Sequence, residues 1–156
     1  MRPELKATIL KILDDNRIMT LATLRPDGWP QATTVGFASD DLRIYFLCGA
    51  DSQKAANLAL DDRVSATIDH DTADPMAITG LSMAAHARRV REPAEIARFE
   101  GLLLAKYPEY RDMPMPEPGS LAIFALQPKL ISVLDYSKGF GHSELVAVEH
   151  ERLSAA

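Results

Sequence analysis

From residue 17 to residue 90 the sequence sets short β-type runs between turn-forming clusters, and this punctuation constrains the fold more than any other feature. Residues 17–24 are rich in β-branched and apolar side chains. They stop at Arg25-Pro26-Asp27-Gly28, where proline and glycine stand at positions that turns favour. Residues 30–38 resume as a second strand, so the pair predicts a hairpin. Ser39-Asp40-Asp41 predicts the next turn, and residues 42–48, which include Ile44, Tyr45, Phe46 and Leu47, a third strand. The simplest account is a three-stranded meander.

The remaining elements fit around that meander. Leu5, Ile9, Ile12 and Leu13 recur at the spacing of an amphipathic helix over Pro3–Asp15, with Pro3 in the first turn, where a missing N–H costs nothing. Residues 52–60 carry good helix formers, Gln53, Lys54, Ala55, Ala56 and Leu58, and Asp51 is the expected N-cap. Arg63–Asp69 alternates, with Val64, Ala66 and Ile68 on one face and Ser65 and Thr67 on the other, as a fourth strand does. Residues 76–90 contain a long fifth strand, with a bend expected at Gly80, and residues 92–106 a helix presenting Ile96, Phe99, Leu102 and Leu103. Four prolines between Pro108 and Pro118 cannot continue a helix or a central strand, so an ordered surface loop is expected there. Residues 121–126 and 130–134 read as two final strands joined by Gln127-Pro128-Lys129. The sum is a mainly β chain with peripheral helices, a closed antiparallel barrel of six to seven strands whose closure protects strand edges.

Composition narrows the class of protein. A chain of 156 residues suits a single domain, residues 1–156, and its 47% hydrophobic content is that of a folded globular protein. No apolar run approaches the roughly 18 residues of a membrane span, and no signal-peptide core follows Met1. Seventeen Lys and Arg against 22 Asp and Glu leave a net charge of −5, opposite to the basic balance of a general nucleic-acid or anionic-membrane binder. The one cysteine, Cys48, can form neither an internal disulfide nor a cysteine-based zinc site, which points to the cytoplasm. His70, His86, His142 and His150 lack the close spacing of a metal site, so no metal is expected. Neither a Gly-x-Ser-x-Gly elbow, nor a P-loop, nor a dinucleotide-binding glycine fingerprint occurs.

Chemistry concentrates at two places. A lysine in the first turn of a helix, Lys54, sits where the macrodipole is already positive. An anion would resolve the conflict, bound by free backbone N–H groups, the Ser52 hydroxyl and the Lys54 ammonium. The alternative is a Lys54 turned to solvent beneath an Asp51 cap, and the local sequence leaves both open. In Gln31-Ala32-Thr33-Thr34-Val35-Gly36 the two threonines point to opposite faces, so one hydroxyl turns inward or toward a ligand, unless both merely serve β-propensity. Gly36 removes a side chain where something approaches closely. Cys48 is either a reactive thiol or a small buried residue.

Several segments taken in order resemble a known family. They are Ala22-Thr23-Leu24-Arg25-Pro26-Asp27-Gly28-Trp29-Pro30, Thr34-Val35-Gly36-Phe37, Ile44-Tyr45-Phe46, Ser52-Gln53-Lys54-Ala55-Ala56-Asn57-Leu58 and Arg63-Val64. Their spacing is similar to that of pyridoxamine 5′-phosphate oxidase-like proteins of the FMN-binding split-barrel superfamily. The resemblance implies a dimeric split barrel with FMN at the subunit interface and flavin-dependent oxidoreductase activity on a small molecule. It implies that Thr33, Thr34 and Val35 lie along the flavin, that Leu47 and Cys48 contribute contacts, and that Ser52, Gln53 and Lys54 hold the phosphate. The strand Ile78-Thr79-Gly80-Leu81 and the region of Tyr136 would complete the site from the partner chain. No residue stands out as a catalytic acid or base.

Two departures from the family pattern bear on substrate. Thr33 stands where authentic pyridoxamine phosphate oxidases have arginine, and Lys138-Gly139-Phe140-Gly141-His142 replaces their Arg-x-His motif. Vitamin B6 oxidation is therefore not the expected reaction, and one charge-assisted phosphate contact is missing. Three other readings stay open: a deazaflavin cofactor, haem with His142 or His70 of interest, and a flavin-binding stress-related module with little turnover.

Overall fold

The structure, a computed structural model, describes residues 1–149; His150 falls outside them. Helix α1 (Pro3–Asp15) begins with proline at its first position and Glu4 in its first turn. Its C-terminal end is closed by the buried Asn16, whose amide donates to the Ile12 carbonyl at 2.8 Å. Leu5, Ile9, Ile12 and Leu13 form its buried stripe.

Strands β1 (Ile18–Leu24) and β2 (Pro30–Gly36) make the expected hairpin, paired from Ile18 with Gly36 to Leu24 with Pro30. Gly28 takes a φ of +86° in the connecting turn, a conformation that favours glycine, while the Asp27 carboxylate accepts the Trp29 N–H at 3.1 Å. The next turn is shorter than expected. Ser39 and Asp40 belong to a short strand, β3 (Ala38–Asp40), which pairs with the start of β4 (Arg43–Gly49). Only Asp41 and Leu42 turn, and Asp41 takes a φ of +53°, a left-handed conformation that Asp tolerates better than most residues.

Helix α2 (Gln53–Leu60) is capped by Ser52, whose Oγ accepts the Ala55 N–H at 3.2 Å, not by Asp51. Strand β5 (Arg63–Asp69) alternates as the sequence predicts. A short 3-10 turn (Pro75–Ala77) leads into β6 (Thr79–Arg89). Gly80 keeps full register there, between Asp69 and Leu134. Its missing side chain makes room for β5: a Cβ would lie 3.0 Å from the Ile68 carbonyl oxygen.

Helix α3 (Pro93–Lys106) follows, and the proline-rich segment after it contains one more 3-10 turn (Pro108–Asp112). The two strands expected at 121–126 and 130–134 are one, β7 (Leu121–Asp135). Ala84 pairs with Leu130 but Ala85 with Pro128, so Lys129 is an unmatched extra residue. Proline is tolerated in a strand at such a bulge. It falls where the neighbour on that edge of β7 changes from β4 (at 121–126) to β8 (Ser143–Ala147, at 130–134).

The sheet runs β2-β1-β5-β6-β7-β4-β3, every ladder antiparallel, with β8 added on β7. Curled on itself it forms the split half-barrel, seven strands on one path and an eighth beside it. Alternation on β4 divides the apolar side chains in two. Ile44, Phe46 and Cys48 enter the main core with α1, while Tyr45 and Leu47 face outward and pack with Phe99, Leu102 and Leu103 of α3. A fully buried side chain such as Phe99 contributes about 1.5–3 kcal/mol, so the outer cluster holds α3 firmly against β4. Among the described residues no helix is long and apolar enough to cross a membrane.

Candidate functional site

The barrel is open along one seam. β2 ends the sheet path on one side, and β4 is paired on its other edge only through residues 43–45. The two lie against each other with no ladder between them, so backbone N–H and C=O groups of both strands turn toward the gap. A cleft of about 310 Å³ occupies this seam, with Thr34, Val35 and Gly36 on one side and Phe46, Leu47 and Cys48 on the other. Lys54 of α2 lines it as well, and Phe99, Leu103 and Tyr110 close it from the α3 side.

Of the residues singled out in the sequence, Thr34, Val35, Leu47, Cys48 and Lys54 meet at this cleft. Lys54 has no ion pair or hydrogen bond among the described residues. Ser52 and Gln53 adjoin the cleft without lining it: the Ser52 oxygen accepts the capping bond, and the Gln53 amide donates to Asn57 Oδ1 at 2.8 Å. Ser52 keeps its hydroxyl proton free for another acceptor. Thr33 shares the inner face of β2 with Gln31 and Val35, and its Oγ1 is buried without a hydrogen-bond partner among the described residues. Such an orphan is uncommon, and Thr33 does not line the cleft.

Asn57, quoted above only as part of a motif, holds the arrangement together. It is fully buried, and its amide donates to Thr23 Oγ1 at 2.9 Å and to Gln31 Oε1 at 3.2 Å while accepting from Gln53. Three of its four bonding positions are filled, tying α2 to both strands of the first hairpin. The available signal was an asparagine three residues after Lys54 on the apolar side of a short helix, next to Leu58.

On its α3 side the cleft is aromatic, lined by Phe99 and Tyr110 and backed by Tyr107. Tyr107 is buried, accepts the Phe37 N–H at 3.0 Å and donates to the Arg17 carbonyl. Burial raises its phenol above the ordinary value, so it stays protonated at neutral pH. Tyr107, rather than a ligand, is what approaches Gly36 closely: a Cβ there would lie 3.1 Å from the phenolic oxygen. Nearby, Lys106 holds its ammonium 3.7 Å from the centre of the Phe37 ring and donates to the Leu13 carbonyl at 2.8 Å. Burial pushes its pKa down to about 8.

The remaining candidates lie elsewhere. Thr79 pairs with Asp135, and the Tyr136 N–H donates to the Ile78 carbonyl at 2.9 Å, so these two segments sit together but line no part of the cleft. His70 Nδ1 lies 3.3 Å from Asn16 Oδ1. His142 stands beside the β7–β8 connection, its Nε2 buried and without a hydrogen bond among the described residues. Neither histidine lines the cleft.

A half-barrel of this topology with a polar-edged seam beside a helix N-terminus is a split-barrel protein. The family model described as pyridoxamine 5′-phosphate oxidase matches residues 5–135, and the chain belongs to that family. The sequence has no match among curated proteins. Solved structures share the fold. A haem-binding protein from Mycobacterium smegmatis is 21% identical with a TM-score of 0.77, over 94% of this chain and 59% of its own. A conserved hypothetical protein from Mycobacterium tuberculosis is 27% identical with a TM-score of 0.75, over 97% and 94%. A putative pyridoxamine 5′-phosphate oxidase from Listeria innocua is 20% identical with a TM-score of 0.69, over 84% and 98%. This chain thus spans 59% of the length of the haem-binding protein it matches.

Proposed function

We propose that the seam cleft binds FMN, and that the protein is a flavin-dependent oxidoreductase acting on a small organic molecule as a cytoplasmic homodimer. The observation that carries this reading is Lys54, an unpaired cation at the N-terminus of α2 that faces the cleft. The helix dipole and free N–H groups favour an anion at the same point. The unladdered edges of β2 and β4 carry polar groups in want of partners, which the heteroatoms of a flavin ring supply.

Bound FMN would supply the electron-transfer chemistry, and the chain's part is to hold and orient it. In this reading Lys54 and Ser52 hold the phosphate, Gln53 supports them through Asn57, and Thr33, Thr34, Val35, Leu47 and Cys48 lie along the ring. The cleft, about 310 Å³, stands at the lower end of ligand pockets, roughly 300–1,000 Å³. A second copy of the chain would therefore supply a missing wall, from residues such as Thr79 and Tyr136. Thr33 in place of an arginine supports a substrate other than a vitamin B6 phosphate.

An absorption spectrum of the purified protein tests the cofactor. A flavin spectrum supports FMN. A Soret band, or a colourless protein that fails to take up added FMN, overturns it. Lys54→Ala is expected to weaken FMN about tenfold or more, as loss of a charge-assisted bond does, while leaving riboflavin, which lacks the phosphate, unaffected. Equal losses for both ligands would remove Lys54 from the phosphate site.

A further inference from the structure

We propose that Tyr110 is a stacking platform, offering a face of its ring to a flat conjugated ring system held in the β2–β4 seam. The inference rests on the FMN reading, and the ring concerned belongs either to the flavin or to the substrate that meets it.

Tyr110 lies on the 3-10 turn after α3 and lines the cleft, with 38% of its surface exposed. An exposed tyrosine on a proline-rich segment would ordinarily be free to swing into water. This one is held from behind. Its ring lies 5.4 Å from that of Tyr107, inclined by 23°, close to an offset stack. Tyr107 is fixed in turn by its hydrogen bonds to Phe37 and Arg17, and it carries the Arg17 guanidinium 4.4 Å from its ring centre. The same guanidinium pairs with Glu109, the residue before Tyr110, and so ties the turn itself. The chain of contacts begins at Gly36, where the absence of a side chain lets Tyr107 reach the backbone.

No hydrogen bond engages the Tyr110 hydroxyl among the described residues, so polar bonding does not explain why the ring stands there. What remains is a pre-organised aromatic surface among Leu103, Val35 and Phe46, at small entropic cost to a ligand that stacks on it. Lys54 lines the same cleft as Tyr110, so a single ligand there meets both a cation and an aromatic face, the pair of contacts expected for a flat ring that carries a phosphate on a chain.

The test uses FMN titrations of the wild type and of Tyr110→Ala, Tyr110→Leu and Tyr110→Phe, with circular dichroism to confirm folding. A second readout is the half-saturating concentration of menadione, a flat-ring oxidant, in reoxidising the dithionite-reduced FMN-loaded protein. Loss of a stacked ring is expected to weaken binding about five- to tenfold. A loss in FMN affinity for the Ala and Leu variants assigns the platform to the flavin. A rise in half-saturating menadione with FMN affinity intact assigns it to the substrate. The Phe variant should match the wild type in both. The platform is overturned if the folded Ala and Leu variants match the wild type in both readouts, or if Phe is as impaired as Ala, which would make the hydroxyl responsible. A wild type that binds no FMN overturns the underlying reading before any variant is made, and the platform with it.

Discussion

Lys106 shows how a single side chain can couple packing to pH. Its stem crosses from α3 to the Phe37 ring, and its ammonium bonds the Leu13 carbonyl at the end of α1. Burial, with Arg17 nearby, lowers its pKa from 10.5 to about 8. The folded protein therefore releases this proton at a pH where the unfolded chain still binds it. Below about pH 8 the cost of holding a half-buried charge is fully present. Between about 8 and 10.5 that cost is relieved, so this group makes stability rise with pH. Urea midpoints of the wild type and Lys106→Met, measured from pH 7 to 10.5, should diverge, with the rise absent in the variant. Parallel profiles would show that Lys106 titrates normally.

Among elements, α2 depends most on a single polar contact set. It has only eight residues and would not persist alone in water. Ala55 and Leu58 bury its apolar side, and Asn57 bolts it to β1 and β2. Asn57→Ala strands the buried Thr23 hydroxyl and frees Gln31 and Gln53. The expected loss is about 2–3 kcal/mol of unfolding free energy in urea titrations. Because the helix carries Lys54, FMN affinity should fall together with stability in that variant, whereas Lys54→Ala should lower affinity alone. A stability loss below 0.5 kcal/mol, within the range of ordinary surface substitutions, would mean that Asn57 is not the bolt.

The whole molecule leaves large apolar side chains in solvent. Trp29 is 72% exposed, Met115 92%, Phe140 83% and Leu145 67%, apolar surface that a second copy of the chain would cover. Together with a cleft open on one side, they support the proposed homodimer. Sedimentation equilibrium should return twice the 17.1 kDa chain mass, and FMN should bind more weakly when dilution separates the protomers. A monomer that binds FMN with concentration-independent affinity would overturn that proposal.

Local sequence determined a large share of this protein. Turn chemistry at Arg25 to Gly28, alternation along β5 and the apolar stripe of α1 each act within a few residues, and each stands in the structure where the pattern puts it. The lysine in the first turn of α2 was legible for the same reason, since a helix dipole is a local property. What a pattern cannot carry is which strands become neighbours. The union of two strand segments across Pro128 depended on β6 accepting a bulge and on β4 and β8 sharing one edge of β7. The cap fell to Ser52 rather than Asp51, a choice between adjacent residues that backbone geometry makes. Asn57 and Tyr110 also depend on partners 26 or more residues away, Gln31 and the seam beside Gly36, which local sequence cannot supply. The cleft itself belongs to the tertiary structure, because it is the gap left where two ends of one curled sheet meet without pairing.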